Sequence, residues 1–332
     1  MSTRIALLGA GRIGKVHARA ISGNPQARLV AVADAITETA AMIADSHGGT
    51  VRSIEEIEAA ADVDAVIVCT PTDTHADLIE RFARAGKAVF CEKPIDLDLQ
   101  RVRACLKVVE DTGAVLMVGF NRRFDPHFRA VRQAIGSGRI GDVEMVQITS
   151  RDPGPPPANY IKSSGGIFRD MTIHDFDMAR FLLGEEPETV YAAASVLVDP
   201  EIGRLGDFDS VSVVLTTASG RQCTISNSRR ATYGYDQRIE VHGSKGMAAA
   251  ENQRPVSIEV ADAHGYTRPP LHDFFMTRYT EAYAAEIAAF VEAIARGKPA
   301  SPSGRDGLLA LALADAALRS VTDGRAVKVS GE

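Results

Sequence analysis

The chain has 332 residues, of which 45% are hydrophobic and 24% charged, with 37 basic and 43 acidic residues giving a formal net charge of −6. That length favours two domains, and the absence of a basic block argues against a nucleic-acid partner. Four cysteines (Cys69, Cys91, Cys105, Cys223) show no CxxC spacing, which argues against a structural zinc or a disulfide framework and suits a reducing cytoplasm.

An apolar run over 4–9 has strand length and is too short for a signal peptide or a membrane span, so no membrane partner is expected. Gly9-Ala10-Gly11-Arg12-Ile13-Gly14 follows, then a helical stretch to about Ser22. This is G-x-G-x-x-G after a strand and opening a helix, the setting a dinucleotide fingerprint requires. Gly9 permits the tight turn, Gly11 lets the backbone approach the pyrophosphate, and Gly14 lets helix and strand pack closely. Arg12 and Ile13 lie in the same turn and count as cofactor contacts. The helix N-terminus offers free N–H groups and the positive end of its dipole. A second strand over 27–33 ends at Asp34, 20 residues past Gly14. An acid there suits the ribose hydroxyls and repels a 2′-phosphate, and Ala35-Ile36-Thr37 brings no arginine to offset it, so NAD is expected over NADP.

Strand and helix signals then alternate: helix 38–46, strand 50–51, helix 54–60, strand 65–69, helix 76–85, strand 88–91, helix 99–112 and strand 115–119. All-apolar strands in such alternation indicate a parallel sheet buried on both faces. Thr70, Pro71, Thr72 and His75 sit just past the carboxyl end of one strand, where such sheets bind ligands. His75 can serve as a base, or contact cofactor or backbone. Glu92-Lys93-Pro94 ends another strand, and the proline stiffens a lysine able to point into a cleft. The expected division is residues 1–120 as a Rossmann domain and 121–332 as a substrate-binding and oligomerisation domain.

In the second domain the pattern gives helix 127–135, strand 141–150, a proline-rich loop at 152–157, strands at 189–197, 209–217, 222–228, 237–242 and 256–260, and helices at 278–296 and 304–323. Long alternating strands separated by turns suggest an open, mainly antiparallel sheet. Gly165-Gly166 breaks the chain before Asp170 and His174. Placed on one helix, those two stand four apart on the same face, where a carboxylate can orient an imidazole as a general base. Two ligands without an obvious third give little support to a metal site.

These motifs, together with Cys69-Thr70-Pro71, Thr74-His75 and Gly119-Phe120-Asn121-Arg122-Arg123, resemble in order and over nearly the whole length the Gfo/Idh/MocA family of oxidoreductases. Phe124-Asp125-Pro126, Arg151-Asp152-Pro153 and the stretch from Phe275 to Ala282 are most similar to its inositol-oxidising branch. The resemblance implies an α/β fold pairing the nucleotide domain with a second α/β domain, a homotetramer, and NAD-dependent oxidation of a ring hydroxyl to a ketone, with Lys93, Asp170 and His174 as the polar centre. It also makes Arg123, Asp152 and Tyr233 candidate substrate contacts, with Tyr235 an alternative to Tyr233. His174 is the best base, since its ordinary pKa of ~6.5 lies near working pH. Asp170 would orient the ring, and Lys93 would bond the reacting hydroxyl or take a larger part in the proton relay. A different sugar or polyol substrate, and a nucleotide-binding sensor without catalysis, are the competing readings.

Overall fold

The computed structural model describes residues 2–329. They form two compact units: the first runs to Asp125 and takes in Thr280–Leu311, and the second joins Pro126–Tyr279 to the chain from Ala312 onward. Residues 280–311, expected with the second domain, belong by packing to the first. Their apolar residues explain it: Phe290 meets Phe90 edge-on at 5.8 Å, and the Val118 N–H donates to Pro302 O at 3.0 Å.

The first unit alternates β1 (Thr3–Leu8), α1 (Arg12–Ser22), β2 (Ala27–Ala33), α2 (Thr37–His47), β3 (Thr50–Val51), α3 (Ile54–Ala59), β4 (Ala65–Val68), α4 (His75–Arg84), β5 (Ala88–Glu92), α5 (Leu99–Thr112) and β6 (Leu116–Gly119). The strands lie parallel in the order β3-β2-β1-β4-β5-β6. Every residue of β4 is buried, as both faces of a covered parallel sheet demand. The order reverses between β1 and β4, and ligands of such sheets bind past the carboxyl ends at that point. Local signals set the helix limits. Ser53 and Glu56 form a reciprocal capping box on α3, and Asp98 caps α5, which ends at Gly113 in the left-handed region (φ 67°).

The second unit contains α6 (Pro126–Gly136), β7 (Val143–Arg151), α7 (Ala158–Ser164), α8 (Ile167–Asp170), α9 (Thr172–Leu183), β8 (Pro187–Ser195), α10 (Pro200–Arg204), β9 (Ser210–Thr217), β10 (Gln222–Ser228), β11 (Asp236–Gly243), β12 (Gly246–Ala250), β13 (Val260–Asp262), β14 (Gly265–Thr267) and α11 (Phe275–Arg278). Two longer helices, α12 (Thr280–Arg296) and α13 (Gly304–Asp323), and β15 (Val327–Lys328) close the chain. The second sheet runs β12-β11-β7-β10-β9-β8-β15, antiparallel at every joint except β7–β10. Burial alternates along its strands. Val211, Val213 and Leu215 face in, while Tyr191, Val214, Thr224, Gln147 and Glu240 line up across the open face. The inner face packs against α9.

Two expectations fail here. Residues 256–260 do not form a strand: Val256 and Ile258 are exposed, and regular structure resumes only at Val260. The apolar alternation found no neighbouring strand to pair with. Asp170 and His174 also do not share one helix. Asp170 ends the one-turn α8, Met171 adopts φ −95° and ψ −58°, and His174 lies in the first turn of α9.

Candidate active site

The candidate residues fall in both units and are taken unit by unit. In the first, β1 ends at Leu8 and the chain turns at Gly9 with φ +97°. A Cβ on Gly9 would lie 2.5 Å from the Cys69 carbonyl oxygen, and one on Gly14 would lie 2.1 Å from the Gly9 carbonyl oxygen. Both contacts are with backbone that cannot yield, so helix α1 reaches the sheet only because these positions lack side chains. Gly11 differs: no described atom lies within 4 Å of its would-be Cβ. It precedes α1, whose first turn no described side chain caps, with exposed Arg12 and half-buried Ile13 following. Orphan N–H groups facing open space at a helix start suit a pyrophosphate, so these residues fit a dinucleotide.

Asp34 braces this loop. Its Oδ2 accepts the Ala10 N–H at 2.6 Å and its Oδ1 accepts the Ile36 N–H at 2.8 Å. A carboxylate has about four acceptor sites, so lone pairs remain for ribose hydroxyls. Beyond β4, Thr70 and Thr74 share a hydroxyl hydrogen bond at 2.6 Å, and Thr74 Oγ1 donates to Pro71 O at 2.7 Å, which shapes the turn holding Pro71 and Thr72. His75 is only 2% exposed. Its Nδ1 lies 2.8 Å from Pro94 O and its Nε2 2.8 Å from Thr70 O. Of the roles open to it in the sequence, the backbone contact is the one its nitrogens make. Glu92 ends β5 and accepts from His17 Nε2 at 2.6 Å, and half-buried Lys93 follows. Arg123 Nη2 donates to Asp306 Oδ1 at 2.9 Å, an ion pair that is largely buried.

In the second unit, α9 is buried along nearly its whole length, and His174 is one of the few residues with an open side. Buried polar contacts fix the helix start. Thr172 Oγ1 donates to Asn227 Oδ1 at 2.7 Å, and Asn227 Nδ2 donates to Asp175 Oδ2 at 2.8 Å and to Ser150 O at 3.3 Å. Strands β7 and β10 thus grip the turn that carries His174. Asp170 accepts from Tyr160 Oη at 2.8 Å and from Arg229 Nη2 at 3.2 Å. Arg229 also lies 3.9 Å from Asp207. Burial pushes the Asp207 carboxyl above its ordinary range, its backbone N–H bonds and Arg229 oppose this, and the Asp170 charge adds to it. The guanidinium lies closer to Asp170 than to Asp207 and holds it in place.

Asp152 follows β7, half-buried, its N–H donating to Ser228 O at 2.9 Å. The half-exposed Tyr233 donates its hydroxyl to Asp236 at 2.6 Å and accepts from Arg151 at 3.1 Å. Tyr235 is buried edge-on against Phe274 and Tyr279. The more open ring is Tyr233.

Tyr160, Asp207 and Arg229 went unnoticed in the sequence. Tyr160 follows the prolines, which hide the start of α7. Asp207 and Arg229 meet Asp170 only through the fold. One signal was available: Arg229 directly follows the strand at 222–228, whose alternate residues Cys223, Ile225 and Asn227 are buried.

Both domains match known protein families. Residues 3–120 match the oxidoreductase family with an NAD-binding Rossmann fold, and residues 128–249 match the GFO/IDH/MocA C-terminal domain. The chain is 74% identical over 330 residues to an inositol 2-dehydrogenase of Rhizobium meliloti, covering 99% of this chain and 100% of the relative. A myo-inositol dehydrogenase structure from Corynebacterium glutamicum is 45% identical, with a TM-score of 0.96 and 99% of each chain covered. A scyllo-inositol dehydrogenase from Lactobacillus casei, solved with NAD(H) and scyllo-inositol, is 28% identical, with a TM-score of 0.92 and coverage of 99% of this chain and 100% of that one. With its nucleotide fingerprint and both domain types in order, the chain belongs to the Gfo/Idh/MocA family of NAD-binding oxidoreductases.

Proposed function

We propose that the chain oxidises a ring hydroxyl of an inositol with NAD as acceptor, taking myo-inositol at C2 to 2-keto-myo-inositol. The full-length 74% identity to a protein named inositol 2-dehydrogenase carries the choice of substrate. NAD supplies the acceptor carbon for the hydride. His174 takes the hydroxyl proton, a role supported by its open side in the first turn of an otherwise buried helix. Asp170, held by Arg229 and Tyr160, is the carboxylate assigned to orient the ring. Lys93 bonds the same hydroxyl and stabilises the developing alkoxide, with a part in passing the proton on. Arg123, Asp152 and Tyr233 contribute polar contacts to the remaining hydroxyls. Asp34, Gly9, Gly11, Arg12, Ile13, Gly14, Thr70, Pro71, Thr72, His75, Glu92 and Lys93 form or support the cofactor site.

The reading includes a cytoplasmic homotetramer. Four buried free cysteines suit a reducing compartment. The open sheet face, with exposed Tyr191, Val214, Met145 and Met247, suits contact with another copy. Scyllo-inositol is the second substrate reading, favoured by the relative solved with that ligand. The test is NADH formation with a panel of inositol isomers, sugars and polyols, each with NAD and with NADP. Strong turnover of myo-inositol with NAD supports the reading. Turnover confined to another polyol overturns the substrate, and NAD binding without turnover of any panel member overturns the proposed polyol oxidation.

A further inference from the structure

Behind Lys93, inside the first unit, lies a set of buried ionisable groups that the chemistry above does not use. His17, from the middle of α1, is 0% exposed, with its ring edge-on to Phe90 at 5.0 Å and Tyr283 at 5.6 Å. Its Nε2 donates to Glu92 Oε1 at 2.6 Å, and its Nδ1 has no hydrogen-bond partner among the described residues. Gly119 packs close to the Glu92 carboxyl: a Cβ there would stand 3.1–3.2 Å from its three carboxyl atoms and would make it yield by a few tenths of an ångström. Glu286, from α12, is wholly buried, and neither of its oxygens has a partner among the described residues.

Burial, with the Glu92 charge adding to it, holds the Glu286 carboxyl well above the ordinary carboxylate range. Glu286 is thereby held towards its neutral form beside the His17–Glu92 pair, and Glu92 stands directly before Lys93. A buried pair of this kind adds little net stability compared with well-packed apolar residues. Its value lies in position. Glu92 is fixed by His17, and the Pro94 carbonyl is fixed by His75, so both residues flanking Lys93 are held by buried histidines. Those histidines lie on α1 and α4, which begin at the carboxyl edge of the sheet, where the dinucleotide binds.

We propose that His17 is a positioning residue for Lys93, acting through Glu92 and tying the strand end that carries the lysine to the helix that receives the cofactor phosphates. The proposal rests on the reading of Lys93 as a catalytic residue. His17→Leu removes the donor at similar volume and leaves the Glu92 carboxylate buried without it. His17→Gln keeps a donor at nearly the same reach. Displacement of the lysine predicts a fall in kcat of ~10–100-fold for His17→Leu, an NAD dissociation constant changed by less than about threefold, and recovery of most of kcat in His17→Gln.

A double-mutant cycle with Lys93→Met decides the route. If His17 acts through Lys93, adding His17→Leu to Lys93→Met lowers kcat no further. Additive losses, or parallel losses of kcat and NAD affinity in His17→Leu, overturn the proposal in favour of general support of the fold. Near-normal kcat in Lys93→Met instead overturns the role of Lys93 itself, so the two failures are distinct. Should His17→Leu fail to fold, the isosteric Glu92→Gln carries the same test. It is expected to lower kcat without adding to the loss in Lys93→Met, and an unchanged kcat, or a further loss on the Lys93→Met background, overturns the proposal.

Discussion

Arg229 donates to Asp170 at 3.2 Å from a side chain only 2% exposed, which gives the candidate orienting carboxylate a buried counter-charge. Arg229→Gln removes that charge and leaves two acids, Asp170 and Asp207, close together in a buried setting. Breaking a buried pair of this kind costs ~3–5 kcal/mol. The expected outcome is a marked fall in stability and a ~10–100-fold fall in kcat, with NAD affinity retained, because the cofactor fingerprint lies in the other unit. Arg229→Lys keeps the charge and should recover part of both. Urea unfolding and inositol turnover measured on the same preparations check this, and an unchanged kcat would detach Arg229 from the chemistry.

The two glycines of the fingerprint should fail in different ways. Gly14→Ala puts a methyl 2.1 Å from the Gly9 carbonyl oxygen, and overpacking of this sort costs ~1–3 kcal/mol. Gly11→Ala meets no described atom within 4 Å, so it should leave stability within ~0.5 kcal/mol and still weaken NAD. Thermal melts with and without NAD separate the two. Equal NAD affinity in Gly11→Ala would show that the open space at Gly11 is not where the pyrophosphate lies.

The contrast between those glycines marks how far the sequence could be read. Both were visible as punctuation of a local pattern, as were α5 between Asp98 and Gly113 and α13 at its observed limits. Local periodicity, caps and covered parallel strands carry their signal within a few residues. What escaped was non-local. The exposed Val256 and Ile258 alternate like a strand but have no neighbour, whereas the small-residue strand β12 pairs with β11. The break at Met171 divides a stretch whose spacing alone suits one helix. Asp207 and Arg229 acquire meaning only where separate segments deliver them to Asp170. The return of residues 280–311 to the first unit likewise depends on packing partners such as Phe90, far away in sequence.

His174→Ala removes the proposed base while leaving the contacts that anchor α9, which run through Thr172, Asp175 and Asn227. The fold should hold and NAD should bind normally, with turnover falling at least ~10²-fold. Steady-state turnover beside NAD titration checks this, and near-normal kcat would remove His174 from the role.

Asp34→Ser deletes the acceptor proposed for the ribose and the anchor of the Ala10 and Ile36 N–H groups. Hydrogen bonds to a charged group contribute about 1.5–3 kcal/mol, so NAD affinity should fall by roughly one to two orders of magnitude. NADP should lose less, because the serine no longer repels the 2′-phosphate. Dissociation constants for both cofactors decide it, and an unchanged NAD-to-NADP ratio would refute the ribose contact.

Glu286 gives the protein a pH dependence of known sign. Its folded pKa is raised well above the ordinary 4.5, by burial first and by the Glu92 charge second. A group raised in this way contributes its full stability below its unfolded value and loses that contribution as pH climbs towards its folded value. The slope over that window is about 1.4 kcal/mol per pH unit. Glu286→Gln has no proton to lose. Whatever offset the amide introduces, its stability relative to the parent should therefore rise as pH climbs above the ordinary 4.5 towards the raised folded value. Urea unfolding at several pH values measures the difference between the two proteins. Parallel stability curves would mean that Glu286 does not enter the folded state protonated.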